Sequence, residues 1–279
     1  MSSERRLFRL PTLAISALLI QWLMAGPGFA QVQRVTITPQ IAKLRPLTKD
    51  QELALGNVRA WSESYMRNLP DYVCIQTTKR HAQPAALDSW PISDEVVQSV
   101  TWSGHHETYE ILSVDGKPYN KERSNLGGNY STGEFGTILD RLFGAESAAD
   151  FGFERRTTLR GFAVDVFAYR VSDAHPYTLY SGVRKYESAW EGLVYAEHET
   201  GAILRIRMEC IGIPVNFPVH HLNMTLDYGL AKIGDREYIL PAHFELTQES
   251  SGGVTQNHAD YSSYRKFETE ASFTLPPEP

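Results

Sequence analysis

Cysteine is scarce in this sequence, which contains only Cys74 and Cys210. They lie far apart and form no CxxC motif, so no zinc site of the structural kind is predicted. Histidine is present, but neither HExxH nor His-x-His occurs. In a strand, the adjacent histidines at 105–106 and 220–221 would point to opposite faces and would not hold one ion together. We therefore expect ordinary polar strand residues, with no metal and no cofactor.

Catalytic motifs are also missing. A nucleophile elbow needs GxSxG between a strand and a helix, and the nearest candidate, LGGNYSTGEF at 126–135, breaks that pattern around Ser131. Its glycines are compatible with an anion-binding loop, but a loop capped by Ser131 explains them more simply. Acidic residues are scattered, and none are paired for acid–base chemistry. The sequence therefore favours a protein that is not an enzyme.

Positive charge is limited as well. The formal net charge is −6 and no basic tract occurs, which argues against nucleic acid as a partner because such binding depends on cationic contacts to phosphate. Aromatic residues make up 11% of the chain, enough for a packed core. The length suits one large domain or two small ones.

Long apolar runs are absent except near the start of the chain. Arginines precede an apolar run over 10–24, and small residues at 28 and 30 precede a cleavage point before Gln31. This layout predicts a secretory signal peptide over 1–30. The alternative is a single membrane anchor, but proline and polar residues break the run before it reaches the length of a span. We expect no stable membrane span after cleavage.

The predicted signal peptide indicates the compartment of the protein and the start of the mature chain. The protein is predicted to be periplasmic or secreted, with an extended arm over 31–47 and one folded domain over 48–275. In an oxidising compartment, Cys74 and Cys210 form either a disulfide or two buried free thiols. Both fall in predicted strands, so a bond requires those strands to be adjacent or facing.

The folded domain is predicted to begin with one amphipathic helix over 49–68. Thr48 and Gln51 have the spacing of a capping box. Apolar residues then recur at about one helical turn, as Val58 and Tyr65 illustrate. Pro70 ends the helix.

After this helix the apolar period changes to two, which indicates strands. Short turn sequences such as Asp115-Gly116 and Arg160-Gly161 join many of them, which predicts antiparallel neighbours. The predicted strands are 72–80, 95–103, 106–114, 153–160, 162–171, 177–181, 185–190, 193–198, 202–211, 220–231, 237–248 and 255–267.

One short helix interrupts the strands, over 134–143. Ser131 and Glu134 form a second capping-box pattern, and Gly144 is a natural stop. The apolar residues on one side of this helix are Phe135, Ile138, Leu139 and Leu142.

Several strands have one dry face. In AILRIRMEC, at 202–210, alternation predicts Leu204, Ile206 and Met208 on the dry face and Arg205 and Arg207 in water. Two helices cannot cover all the apolar surface of so many strands closely. The sheet must therefore close on itself or curve around something. Other predicted residues of the dry face are Tyr228, Tyr238 and Phe244.

In this order of elements, the chain resembles the LolA/LolB-like superfamily of periplasmic lipoprotein carriers and receptors. The resemblance rests on helix 49–68, on the hairpin GLVYAEHETGAILRIRM, and on YILPAHFEL followed by the tyrosine-rich strand DYSSYRKF. It implies an α+β fold, in which a curved antiparallel half-barrel carries the N-terminal helix and a short lid helix on its concave face.

The resemblance also implies a pocket for acyl chains. We therefore expect an exported binding protein for a lipid, an acyl chain or another hydrophobic ligand, with lipoprotein acyl chains as one class of partner. The alternative is an interaction module of the cell envelope, with a closed core and a protein partner. The predicted ligand-binding residues are Phe135, Ile138, Leu139, Leu142, Leu204, Ile206, Met208, Tyr228, Tyr238 and Phe244.

Overall fold

The structure is a computed structural model, and it describes residues 44–84, 92–122, 125–129, 133, 136–172 and 175–267. The predicted signal peptide over 1–30 lies outside these residues, as does most of the predicted arm. No helix in the described ranges is long and apolar enough to cross a membrane. The elements are α1 (Lys49–Asn68), β1 (Tyr72–Pro84), β2 (Ile92–Ser103), β3 (His106–Val114), β4 (Lys117–Pro118), α2 (Thr137–Phe143), β5 (Ala149–Leu159), β6 (Phe162–Val171), β7 (Tyr177–Ser181), β8 (Arg184–Glu197), β9 (Ile203–Ile211), β10 (Val219–Ile233), β11 (Arg236–Ser250) and β12 (Gly253–Lys266).

Helix α1 begins at the predicted capping box. The Thr48 hydroxyl accepts a hydrogen bond from the Gln51 N–H at 3.4 Å, and the Gln51 side chain accepts one from the Thr48 N–H at 3.0 Å. These bonds satisfy two amides that the first turn leaves without helical partners. Leu55 and Val58 lie on the buried side of the helix, which fixes the face that it turns to the sheet.

The strands form an open antiparallel sheet in the order β4-β3-β2-β1-β12-β11-β10-β9-β8-β6-β5, with β7 paired to β8. Strands β4 and β5 follow one another in the chain but stand at opposite ends of this order. The described residues between these two strands include α2, whose Ile138, Leu139 and Leu142 are buried. This arrangement confirms the predicted half-barrel with an N-terminal helix and a short lid helix on its concave face.

The concave face and the two helices form one large buried cluster, which we call the main core. Leu55 and Val58 from α1 pack there with Leu139 and Leu142 from α2, together with buried residues of most strands. A second, smaller cluster lies on the opposite face of the sheet. Its members are Val164, Val166, Ala168, Leu193, Tyr195 and Leu204.

Leu204 is placed differently from its prediction. The β8–β9 register shifts between Tyr195 and Ala196, so Ile203 pairs with Ala196 while Leu204 has no direct partner. This bulge reverses the alternation locally: Ile203 enters the main core and Leu204 joins the second cluster. The Leu204 carbonyl accepts a hydrogen bond from the Arg160 guanidinium at 2.8 Å.

Arg205 lies on the outer face as predicted, but its side chain is only 30% exposed. Its guanidinium donates two hydrogen bonds of 2.8 Å to the carboxylate of Asp227 on the next strand. Asp227 is itself buried. The outer face therefore contains charged pairs that are part of the packing.

Strand β8 is one continuous strand where the sequence predicts two, over 185–190 and 193–198. Gly192 interrupts the apolar alternation but not the hydrogen-bonded ladder. A Cβ atom at Gly192 would lie 1.8 Å from the Arg207 carbonyl oxygen and 2.7 Å from the Tyr169 hydroxyl. Glycine is present because Tyr169 crosses the strand there and donates a hydrogen bond to Arg207 at 2.8 Å.

Candidate ligand-binding cleft

Most residues predicted to line a ligand cavity lie in the main core. Those from the strands share the main core with buried residues of α1 and α2. Phe135 lies outside the described residues. Leu204 belongs to the second cluster, and Tyr238 is partly buried against the main core. The predicted residues inside the main core are Ile138, Leu139, Leu142, Ile206, Met208, Tyr228 and Phe244.

A cleft opens beside α2, where the main core reaches the surface. Its volume is about 440 Å³, within the range of small-molecule sites. Strand β3, helix α2, the β7–β8 pair and strand β10 contribute to its walls. Of the nine predicted residues that the structure describes, Ile138 is the one that lines this cleft. The lining residues are His106, Glu107, Tyr109, Gly133, Thr137, Ile138, Arg141, Tyr177, Thr178, Tyr180, Trp190 and Met224.

The floor of the cleft is apolar and firmly held. Ile138, Trp190 and Met224 are all buried members of the main core. The Trp190 indole N–H donates a hydrogen bond to the His175 carbonyl at 3.1 Å. Its ring meets the Tyr169 ring edge-on, with centroids 5.4 Å apart, a favourable aromatic geometry. The floor is therefore preformed.

The rim of the cleft is polar and more exposed. Arg141 lies on the exposed side of α2, and its guanidinium donates a hydrogen bond to the Pro176 carbonyl at 3.4 Å. Tyr180 is also exposed and Tyr177 is partly buried. An apolar floor with a guanidinium and phenol groups at its edge suits a ligand with one greasy end and one polar end.

Glu107, on β3, attaches α2 to the sheet. Its carboxylate accepts hydrogen bonds from the Gly133 N–H at 2.9 Å and the Gly136 N–H at 3.1 Å. The Tyr109 hydroxyl donates a third bond to it at 2.5 Å. Helix α2 has no side-chain cap of its own, so Glu107 supplies the negative charge that a helix start favours.

The start of α2 also differs from its prediction. The helix begins at Thr137 with Gly136 as its N-cap, whereas the sequence predicts a helix over 134–143 with a capping box at Ser131 and Glu134. Those two residues lie outside the described ranges. A Cβ atom at Gly136 would lie 2.1 Å from the Trp102 ring, so glycine lets the helix start approach the sheet closely. The helix ends at Gly144 as predicted.

Sequence reasoning missed the rim residues because they come from separate elements. Glu107, Arg141, Tyr177 and Tyr180 share no periodic spacing, and the fold alone brings them together. The only sequence signal at this site is the apolar side of α2, which led to Ile138.

The two cysteines are free, buried thiols. Strands β12, β11 and β10 stand between β1, which carries Cys74, and β9, which carries Cys210. The structure thus has the second alternative left open by the sequence, without the disulfide. Burial raises the pKa of each thiol to about 12. Both therefore remain protonated at neutral pH, and neither is a thiolate nucleophile.

Comparison with known proteins concerns the fold alone. No family model and no curated protein matches this sequence. Among solved structures, a DUF1329 family protein from Desulfovibrio piger shares 7% identity at a TM-score of 0.39, over 82% of this chain and 96% of that one. A domain proposed to belong to an outer membrane lipoprotein-sorting protein of Vibrio parahaemolyticus shares 11% at a TM-score of 0.38, over 80% and 95%. A LolA superfamily protein from Nitrosomonas europaea shares 11% at a TM-score of 0.32, over 81% and 97%. These neighbours include one member of the superfamily that the sequence resembles.

Proposed function

We propose that this protein binds an amphipathic ligand in the cleft beside α2. The apolar part of the ligand lies on Ile138, Trp190 and Met224, and its polar head lies at Arg141. The observation that supports this proposal is the direct opening of a buried, apolar floor onto a guanidinium at the rim. Concave sites with a few placed polar groups are typical of small-molecule binding.

The head group is expected to be anionic. Arg141 is exposed and offers more N–H donors than its bond to Pro176 uses. Glu107, the carboxylate of the cleft, is bound by the amides at the start of α2. Guanidinium groups bind carboxylate and phosphate through paired hydrogen bonds. A fatty acid or a phosphate-bearing lipid therefore suits the rim better than a neutral ligand.

The apolar part of the ligand is expected to be short, or to be only partly enclosed by the cleft. Leu139 and Leu142, behind the floor, are fully buried in the main core. A long chain laid along the concave face would have to displace them. The sequence predicts a broad cavity for whole acyl chains. The cleft instead suits one segment of an acyl chain or a compact hydrophobic molecule. Export to the envelope, where such ligands occur, remains a sequence prediction.

The experiment is a titration of the purified protein with a fluorescent fatty-acid probe, followed by competition with unlabelled dodecanoic acid and dodecanol. Thr137→Trp, at an exposed position of α2 that lines the cleft, should fill it and abolish saturable binding. Arg141→Gln should weaken competition by the acid about tenfold and leave the alcohol unchanged, because charge-assisted bonds are the strong ones. Arg155→Gln, an exposed arginine of β5, is the matched control.

Thermal melting should show that all three variants stay folded. Absence of saturable binding by the parent protein would overturn the proposal, as would equal binding by Thr137→Trp. If Arg141→Gln changed competition by the acid and by the alcohol equally, the anionic head group would be excluded from the proposal. Leu139→Glu is unsuitable as a test because Leu139 is completely buried.

A second candidate function is contact with a protein partner, and an exposed apolar tip favours it. Val183, in the β7–β8 turn, and Val215 are almost fully exposed. Arg184 donates a hydrogen bond to the Asn216 carbonyl at 3.1 Å, which holds the two valines in neighbouring segments. Replacing both by serine should reduce the share of protein in large complexes extracted from cell envelopes. Leu230→Ser, at another exposed position, should not, and an equal loss there would exclude the tip.

A further inference from the structure

Two neighbouring strands each carry a histidine followed two positions later by a carboxylate, on the outer face of the sheet. Strand β11 has His243-x-Glu245 and strand β12 has His258-x-Asp260. Residues two apart on a strand share a face. The antiparallel register places His243 opposite Asp260 and Glu245 opposite His258. Two imidazoles and two carboxylates therefore form one compact group of four side chains.

The separations within this group suit a small metal ion. Glu245 Oε1 lies 3.2 Å from His243 Nε2 and 3.5 Å from His258 Nδ1. Ligands of a tetrahedral zinc ion at its usual bond lengths are about 3.3 Å apart. The three ligand atoms all lie within 4.8 Å of one another, so small side-chain rotations would bring them around one centre.

Asp260 holds His243 in the orientation that metal binding needs. Its Oδ1 lies 2.8 Å from His243 Nδ1, which leaves Nε2 directed at Glu245. Histidines that bind metals commonly donate their second ring N–H to a carboxylate, which fixes the ring and its tautomer. A binding geometry therefore exists here together with its supporting partner.

We propose that His243, Glu245 and His258 bind a divalent transition-metal ion, with Asp260 as a positioning residue. Imidazole and carboxylate ligands suit Zn²⁺, Co²⁺ or Ni²⁺ better than Ca²⁺ or Mg²⁺. Three protein ligands leave a fourth coordination position open to solvent, because His243 and His258 are only partly buried and Glu245 is exposed. This site is separate from the cleft and does not depend on the function proposed for it.

Protons compete with the metal at this site. The pKa of Glu245 falls to about 2 through its hydrogen bond to His258, against partial burial and with further help from His243. Partial burial lowers the pKa of His243, but Asp260 and Glu245 together raise it above its ordinary value. Protonation of His243 therefore opposes metal binding, which should weaken as the pH falls. Nearby titratable or charged groups on other strands are Lys79 and His81 on β1, Asp227 on β10 and Arg205 on β9.

The test is calorimetric titration of the untagged, chelator-treated full chain with ZnCl₂ at pH 7.5, with Co²⁺ absorption as a second readout. One equivalent of Zn²⁺ should bind, with the visible bands of tetrahedral Co²⁺. His243→Gln and His258→Gln should each weaken binding at least tenfold. Asp260→Asn should weaken it about tenfold, as loss of an orienting partner does, while keeping the stoichiometry.

His220→Gln is the matched control, because His220 is seven positions from Asp227 along β10, about 23 Å at the usual rise of a strand. It should bind Zn²⁺ as the parent does. In chelator, all variants should melt like the parent, whereas Zn²⁺ should raise the melting temperature of the parent and of His220→Gln by more than that of the other three variants. The proposal is overturned if the parent binds no stoichiometric metal. Parent-like binding by both His243→Gln and His258→Gln, or an equal loss in His220→Gln, overturns it too.

Discussion

The two faces of the sheet are covered in different ways. The inner face is covered by α1 and α2, and the main core that results is built from hydrophobic side chains. The outer face has no helix over it in the described part of the chain. It instead carries cross-strand pairs in which an arginine lies over a buried carboxylate. These pairs are Arg170–Glu191 and Arg205–Asp227.

The difference between the two faces shows that arginine side chains can cover a sheet face on which no second layer of described helices or strands packs. In both pairs the carboxylate side chain is at most 11% exposed, whereas the arginine side chain is at least 30% exposed. The aliphatic stem of an arginine covers neighbouring atoms while its guanidinium stays hydrated. A strand that looks half polar in sequence therefore contributes packed atoms on both faces.

The largest effect should come from placing a charge on the inner face. Leu139→Glu puts a carboxylate at a completely buried position of α2, and an unpaired buried charge costs more than most domains retain in stability. We expect no cooperative urea transition for this variant. Leu53→Glu, the same change at an exposed position of α1, should unfold within about 0.5 kcal/mol of the parent. Similar urea midpoints for the two would show that α2 does not cover the core.

An intermediate effect is expected for Arg205→Asp on the outer face. The change removes two hydrogen bonds from Asp227 and places a second carboxylate beside it. We expect the free energy of unfolding to fall by about 2 kcal/mol, since the buried Asp227 carboxylate loses its two hydrogen bonds and keeps, among the described residues, only Arg160, whose Nη2 lies 3.7 Å from its Oδ1. Arg155→Asp, whose side chain is half-exposed, should cost about 0.5 kcal/mol or less. Equal losses would mean that the outer pairs are ordinary surface contacts.

A smaller effect should appear in the pH dependence of stability. The pKa of Glu245 falls from 4.5 to about 2 in the folded protein, so its contribution is complete above pH 4.5 and disappears as the pH falls toward 2. Because Glu245 is exposed, we expect roughly 0.5 kcal/mol, after screening. His243, with a raised pKa, contributes in the opposite sense: its share is complete below pH 6.5 and is lost as the pH rises. Glu245→Gln should flatten the acid limb of urea unfolding in chelator, and Glu249→Gln should leave it unchanged.

The smallest effect concerns the thiols, which lie on the inner face. Alkylation without reductant should label neither Cys74 nor Cys210 in the folded protein, because both are buried and protonated. Both should be labelled after unfolding in urea, as mass spectrometry would show. Two unlabelled cysteines in the unfolded protein would restore the disulfide alternative.

Much of the fold was predictable because its signals are local. The capping box at Thr48, the turns at Asp115-Gly116 and Arg160-Gly161, and the alternating apolar residues all act within a few positions of the chain. The failures also have local causes. In the sequence, Gly192 resembles the end of a strand. In the structure it leaves room for the Tyr169 side chain, which crosses from β6 to the Arg207 carbonyl. Leu204 is shifted by a bulge that depends on β8, which no pattern within β9 reveals.

The candidate sites were much less predictable. No single motif in the sequence predicts a metal site, and His243-x-Glu245 and His258-x-Asp260 become one group only through the β11–β12 register. The many one-sided strands also predict a large uncovered inner face, whereas Leu139 and Leu142 of α2 are buried there in the main core.

The sequence by itself determined the helices, most strands, the antiparallel pairing and the acidic character of the chain, because these depend on neighbouring residues. Only the tertiary structure decided which surfaces remain open. Whether Ile138 lies in a closed core or at a cleft depends on where β3, β7 and β10 bring Glu107, Tyr180 and Met224. The physical reason is that burial and coordination are properties of side chains converging from distant strands, and convergence is set by register and curvature.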